Sequence, residues 1–348
     1  MQICGELSGN KIIVKKSKDV GRLYNKSRIG ETIACNQLQL NLIEGVFLLD
    51  EDKIKIFDNG KEVNFQNLVK LAAGHISGFE TKYHVFKDLR LRGCAVKLCK
   101  KINGFAFFYL KKEEDKPFFI SAFSERDLIE IKEIKGLIEN AFKKGIGLWF
   151  AIVDEEGDLT YYDVSMIDIK GNTREHKFTK SNGVFLENRV VVFDKKFAEN
   201  LHDKEFFGKP FGDGLQLSLV EALYLLDKKV IDVQTSDGKK LTKNEFKKII
   251  CKQQSDIELR YFVFCDLKKR GLIVKTGFKF GTHFRAYTKK PGETHAEYLV
   301  HVVDIDFKSI WADISRAVRL AHSVNKEIVF AIADSNKIDY IKFGRLRP

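Results

Sequence analysis

The chain contains the same passage twice, and this limits its architecture more than any other feature. Residues 38–50 read LQLNLIEGVFLLD and residues 215–227 read LQLSLVEALYLLD, while 83–97 read YHVFKDLRLRGCAVK and 261–275 read YFVFCDLKKRGLIVK. The offset is 177 for the first pair and 178 for the second, about half of the 348 residues, so the fold is a tandem duplication of one large unit. After Lys275 the second copy continues with FKFGTHFRAY, HAEYLV and RLAHSVNK, and the first copy keeps hardly any of those reactive side chains.

The order of elements looks alike in both copies, an α/β (α+β mixed) pattern with two domains per copy. The boundaries expected are 1–92 and 93–170 for the first copy, and 175–270 and 271–348 for the second. In NGVFLENRVVVF, Asn182-Gly183 reads as a turn ahead of a strand, and Glu187-Asn188 as the hairpin that follows. LTKNEFKKIICKQQ reads as a helix capped by Thr242, with Glu245 three residues on. DIELRYFVFCDLKKRG is a second helix, and Gly271 is its C-terminal stop. The third, FKSIWADISRAVRLAHSVNK, places Ile310, Ile314, Ala317, Ala321 and Val324 in one stripe expected to face the core. Arg319, His322 and Lys326 stack in an outward row.

Cysteines and charge narrow the classes of function. Cys4, Cys35, Cys94, Cys99, Cys251 and Cys265 are scattered, and the 94/99 spacing is not that of a zinc pair, so small buried hydrophobes are expected. No secretory leader and no bilayer-length apolar run is evident, which leads to the expectation of a cytoplasmic protein with reduced thiols and no membrane partner. Net charge is +12, and from Ser255 onward seventeen Lys and Arg face eleven Asp and Glu. That surplus favours a polyanionic partner, nucleic acid before membrane.

FKFGTHFRAY reads as an alternating strand that ends at Tyr287 before TKKPGE, and His295 opens the next strand, AEYLVHVVDI. A hairpin-like connection would bring Tyr287 and His295 to one sheet edge, where Lys326 meets them from the end of its helix. Together, FGTHFRAY, HAEYLV and AVRLAHSVNK resemble the catalytic domain of the archaeal tRNA-splicing endonucleases, and the duplication resembles the homodimeric, tandem-repeat branch of that family. The resemblance implies a catalytic triad of Tyr287, His295 and Lys326, with Arg319 and Arg345 stacking on a flipped bulge base. It implies a restriction-endonuclease-like C-terminal domain in each copy, a central mixed sheet flanked by helices. It also implies precursor tRNA with a bulge–helix–bulge as partner, products ending in a 2′,3′-cyclic phosphate and a 5′-OH, and neither cofactor nor metal.

The chemistry can be argued beside the family. Cleaving RNA without a metal needs a base for the ribose 2′-OH, an acid for the departing 5′-oxygen and a cation at the crowded phosphate. An imidazole titrates near neutrality, so His295 is the natural acid, and Lys326 is the electrostatic stabiliser. A phenol is rarely ionised at neutral pH, so Tyr287 as base relies on the positive charge of Arg285, Lys289 and Lys326. Two alternatives are a non-catalytic RNA-binding subunit, opposed by the complete Tyr–His–Lys set, and a metal-dependent nuclease. The second copy carries no clustered Asp/Glu set with a partnering Lys to favour the latter.

Aligned by residue count, the first copy has Tyr109 for Tyr287, Pro117 for His295, Ile146 for Lys326 and Glu139 for Arg319, so it should be catalytically dead. It keeps FAIVDEEGDLTYYDV, with Asp154, Glu155, Glu156 and Asp158 around Gly157, where the second copy retains only Asp334. On composition this is a solvated turn. The resemblance implies instead a loop that enters a basic cleft on a neighbouring catalytic unit, building a homodimer with two active and two structural domains.

Overall fold

The computed structural model describes residues 2–99, 106–110, 118–174, 176–292, 294–335 and 337–348. The repeated LQL…LLD passage is a strand, a cap and a buried helix. Asn41 and Ser218 cap the helices Leu42–Asp50 and Leu219–Asp227, each in a reciprocal box with a glutamate three residues on, Glu44 or Glu221. The second carboxylate oxygen of each accepts from a glycine N–H, Gly30 at 2.9 Å and Gly208 at 3.0 Å. A buried glutamate is thereby satisfied and the helix is tied to its sheet. Burial pushes the Glu44 carboxyl up, against those backbone bonds. Around each helix curls a six-stranded sheet with the same strand sequence and pairing in both copies.

Beyond these sheets, the helices Phe79–Leu91 and Ile257–Lys269 lead into the second half of each copy. Gly93 (φ 82°) and Gly271 (φ 75°) end them in the left-handed conformation that glycine adopts without strain. Among the described residues, the strands that follow from both copies join in one ten-stranded sheet. Its order runs Ile273–Thr276, Phe284–Tyr287, Tyr298–Asp304, Glu327–Asp334, Lys337–Leu346, then Leu159–Met166, Gly147–Val153, Phe118–Ser124, Ala106–Leu110 and Ala95–Cys99. Each half is mixed, with one parallel pair bridged by a helix, Ile131–Lys143 or Trp311–Ser323. These two helices share one face and one core, with Ile134, Phe150, Trp311, Ile314 and Phe343. Helices Phe79–Leu91 and Ile257–Lys269 cover the other face.

The seam between the copies is the antiparallel pair of Leu159–Met166 with Lys337–Leu346. Trp149 pairs with Asp163 and Val329 with Lys342, which makes Val164 and Phe343 counterparts in the duplication. They also face each other across the seam, so an internal two-fold axis passes between them. The short ribbon of Leu128–Glu130 with Lys308–Ile310 repeats this relation at Ile129 and Ser309.

Several local expectations change. Asn182 and Gly183 lie inside the strand Ser181–Leu186, where a Cβ on Gly183 would meet Val190 at 2.5 Å, while the hairpin does turn at Glu187-Asn188. Thr242 caps Lys243–Gln253 in the expected box. The buried stripe of Trp311–Ser323 is Trp311, Ile314, Ser315, Val318 and Ala321. Ile310 precedes the helix and is exposed, and Ala317 and Val324 are half-buried, because the large Trp311 takes the core position and rotates the stripe. FKFGTHFRAY is not one strand: Phe278–Phe280 forms a 3₁₀ turn closed by Gly281, and pairing begins at Phe284. No helix among the described residues is long and apolar enough to cross a membrane.

Candidate active site

The ends of three neighbouring strands of the second copy, Phe284–Tyr287, Tyr298–Asp304 and Glu327–Asp334, position Tyr287 and the residues leading in from His295 and Lys326. Ala286 pairs with Tyr298, and Tyr298 with Glu327. Continuing that row by one residue sets Tyr287 beside Glu297, and Glu297 beside Lys326. The row is pinned by Glu297: its carbonyl accepts from the Glu327 N–H at 2.9 Å, and its carboxylate accepts from the Thr288 N–H at 3.0 Å and hydroxyl at 2.6 Å. His295 lies two residues before Glu297, in the exposed connection ahead of the strand rather than within it. Tyr287 is 8% exposed and packs with Ile273, Ala296 and Phe206, which brings it against the residue after His295.

Lys326 is not part of the helical row predicted for it. The helix ends at Ser323, Asn325 is left-handed (φ 52°), and Lys326 starts the return to the sheet. The lysine is half-buried, its ammonium 3.3 Å from the Val324 carbonyl and 5.7 Å from the centre of the Phe280 ring. Arg319 and His322 are exposed on the helix as expected.

Basic groups accumulate beside Tyr287. The Arg285 guanidinium lies 5.8 Å from the Tyr287 ring centre, and its buried Nε has no hydrogen-bond partner among the described residues. Lys275, directly across the ladder from Arg285, donates to the carbonyls of Phe206 and Gly208 at 2.6 Å each and sits 3.6 Å from Glu221. Burial holds its ammonium below the ordinary lysine range and Arg285 adds to this, while Glu221 acts the other way. Arg285, Lys275 and Tyr287 line a cleft of about 780 Å³ between the two halves of the second copy, with Arg189, Lys209 and His202 on the far wall.

Arg319 and Arg345 come together over Tyr162 of the first copy. Arg345 is directly opposite Tyr162 in the seam, and Ser315 and Arg319 are one helical turn apart on the helix that covers the same face. Burial raises the Tyr162 phenol, opposed by a weak hydrogen-bonding interaction with the Ser315 hydroxyl and by the charges of Arg319 and Arg345. Both arginines are exposed, and neither has an ion-pair partner among the described residues.

In the first copy, the ladders correct one equivalence. Tyr109 pairs with Val96 and Phe118, as Ala286 pairs with Val274 and Tyr298; Leu110, opposite Ala95, holds the position of Tyr287. The chain from Ala95 to Leu110 is one residue longer than that from Ile273 to Tyr287, and this shifts the register. Ile146 does occupy the Lys326 position, each N–H returning to an alanine carbonyl at the helix end, Ala141 or Ala321. Pro117 lies outside the described residues. Asp154, Glu155, Glu156 and Asp158 are exposed at the turn between Gly147–Val153 and Leu159–Met166. Asp154 organises that turn by accepting from the N–H groups of Glu156 and Asp158 at 3.0 and 2.9 Å, and Glu155 pairs with Arg126. Glu156 and Asp158 have no ion-pair partner among the described residues.

Sequence reasoning missed Glu297, Phe280 and Tyr162. The first could be read from its place between His295 and a strand, but the other two act through contacts that cross elements.

The family model described as tRNA intron endonuclease, catalytic C-terminal domain, matches residues 257–340, and that for the N-terminal domain matches 3–69 and 181–247. The chain is 35% identical to a tRNA-splicing endonuclease of Methanococcoides burtonii, over 98% of this chain and 99% of that protein. It is 34% identical to one of Methanosarcina barkeri over 98% and 99%. A tRNA-splicing endonuclease of Methanothermobacter thermautotrophicus is 37% identical over 46% of this chain and 94% of its own length, the extent of one copy.

Proposed function

The chain belongs to the tRNA intron endonuclease family and is an RNA endonuclease, and from that premise we propose that it excises introns from precursor tRNA at bulge–helix–bulge sites. Tyr287 takes the proton of the ribose 2′-OH, the O2′–P bond forms as the P–O5′ bond breaks, and His295 protonates the leaving oxygen. Lys326 stabilises the charge on the phosphate oxygens. Every atom is accounted for without water or a metal, and the products carry a 2′,3′-cyclic phosphate and a 5′-OH. The carrying observation is the row of Tyr287, Glu297 and Lys326 at the ends of three adjacent strands, with His295 two residues before Glu297, set against Leu110 and Ile146 at the matching places in the first copy.

Arg319 and Arg345, two cations without ion-pair partners among the described residues that both act on Tyr162, stack on a splayed bulge base; A-form RNA hides its base edges, so recognition is mostly of shape. The acidic loop at Asp154, Glu155, Glu156 and Asp158 joins two chains into a homodimer by entering the partner's basic cleft. A cleft of suitable sign lies by Arg189, Lys209 and Arg285. The division at 1–92, 93–170, 175–270 and 271–348, and a cytoplasmic location, belong to the same reading.

A single-turnover cleavage assay on a bulged precursor tRNA tests it. Tyr287→Phe, His295→Ala and Lys326→Ala should each slow cleavage by about a hundredfold or more while RNA affinity stays within a few-fold of wild type. Cleavage at the wild-type rate in His295→Ala would remove it from the mechanism.

A further inference from the structure

We infer that Tyr162, in the copy without the catalytic set, is a positioning residue for Arg319 and Arg345 of the other copy; this rests on the reading of those arginines as the RNA-binding pair. Tyr162 is completely buried, and its hydroxyl has no close hydrogen bond among the described residues, only a weak interaction with the Ser315 hydroxyl on the covering helix. A buried hydroxyl with so weak a partner is costly and uncommon. Its place explains why one is kept there: it lies directly opposite Arg345 in the seam, on the face covered by the helix bearing Ser315 and Arg319.

The internal two-fold axis supplies the control. The counterparts of Tyr162 and Arg345 are Ile341 and Met166, which also face each other in the seam, and those of Ser315 and Arg319 are Lys135 and Glu139. The same backbone site is filled by an apolar pair on the half that lacks the arginines. The hydroxyl is therefore present where two guanidinium groups stand above it and absent where none do. A phenolic oxygen is an acceptor, and guanidinium N–H groups are donors with no acceptor of their own. When a base enters between the arginines, the hydroxyl can hold one guanidinium by a hydrogen bond from below and so fix the spacing of the pair. The first copy thus contributes to RNA recognition as well as to assembly.

The test uses the full-length chain and a bulged precursor tRNA. Tyr162→Phe keeps the ring and removes one weakly held hydroxyl, so the melting temperature should be unchanged or slightly raised. The maximal single-turnover rate should be unchanged, and half-saturation should need about fivefold more enzyme. In Arg319→Ala or Arg345→Ala backgrounds the same change should have a smaller effect, because its target is gone. Wild-type half-saturation in Tyr162→Phe, with Arg319→Ala and Arg345→Ala both impaired, overturns this inference alone. Unimpaired Arg319→Ala and Arg345→Ala overturn the reading of the arginines and this inference with it. A lower melting temperature in Tyr162→Phe also overturns it, since the hydroxyl would then serve the fold.

Discussion

Val164 and Phe343 face each other in the seam that joins the two copies, and each is the other's counterpart in the duplication. A closed internal two-fold pairing of this kind is what two separate subunits would form through one shared patch. The chain has fixed it covalently. Tyr161 and Tyr340 are also counterparts, donating to Asp88 and Asp266 at 2.7 Å each, so each half anchors its helix to the shared sheet in the same way.

Phe343 packs its ring at 5.2 to 6.5 Å from those of Phe330, Trp311 and Phe150, the last from the first copy. Phe343→Ala should cost about 3–5 kcal/mol, the range for emptying an aromatic site in a core. Both C-terminal halves should melt together in one calorimetric transition. Two separate transitions would show that the seam does not couple them.

Lys275 holds two carbonyls and faces Glu221 in a buried place. Lys275→Ala should destabilise the chain by about 3 kcal/mol in urea, since it strands three acceptors rather than one contact. A loss below about 1 kcal/mol would mean that water replaces the ammonium.

Burial, with His301 and Arg260 adding to it and Asp256 opposing, holds the His283 imidazole down to about 4. The unfolded value is about 6.5, so between the two the unfolded chain binds the extra proton. Stability owed to neutral His283 is full above about pH 6.5 and falls away as the pH drops toward 4. His283→Asn keeps an acceptor for the Val302 N–H, which now reaches Nδ1 at 2.8 Å. From pH 7.5 to 5 the wild type should lose more melting temperature than this variant, and equal losses would contradict the assignment.

If the loop builds the proposed homodimer, neutralising Asp154, Glu155, Glu156 and Asp158 to Asn or Gln should shift sedimentation from dimer to monomer and leave melting nearly unchanged. Raised salt should act in the same direction on the wild type. A quadruple variant that sediments as wild type does would remove the loop from assembly.

What could be read from the sequence was what short-range rules control. The twin LQL passages, the Thr242 box and the Gly271 stop are local signals, and they appear where spacing puts them. Tyr109 misled because counting residues assumes equal loops, and a connection one residue longer moved Leu110 into the Tyr287 position. Lys326 was read as helical from its spacing, yet Asn325 had already turned the chain. Glu297, Phe280 and Tyr162 work across strands or copies, and no window of sequence contains both partners.

The central claim is that Tyr287, His295 and Lys326 cut RNA by internal attack of the 2′-oxygen. Its most direct test is incubation of the full-length protein with an intron-containing precursor tRNA in excess EDTA, followed by analysis of the fragment ends. The account predicts undiminished excision of the intron, with 2′,3′-cyclic phosphate and 5′-OH ends at both cuts. Cleavage abolished by EDTA, or ends bearing 3′-OH and 5′-phosphate, would contradict it.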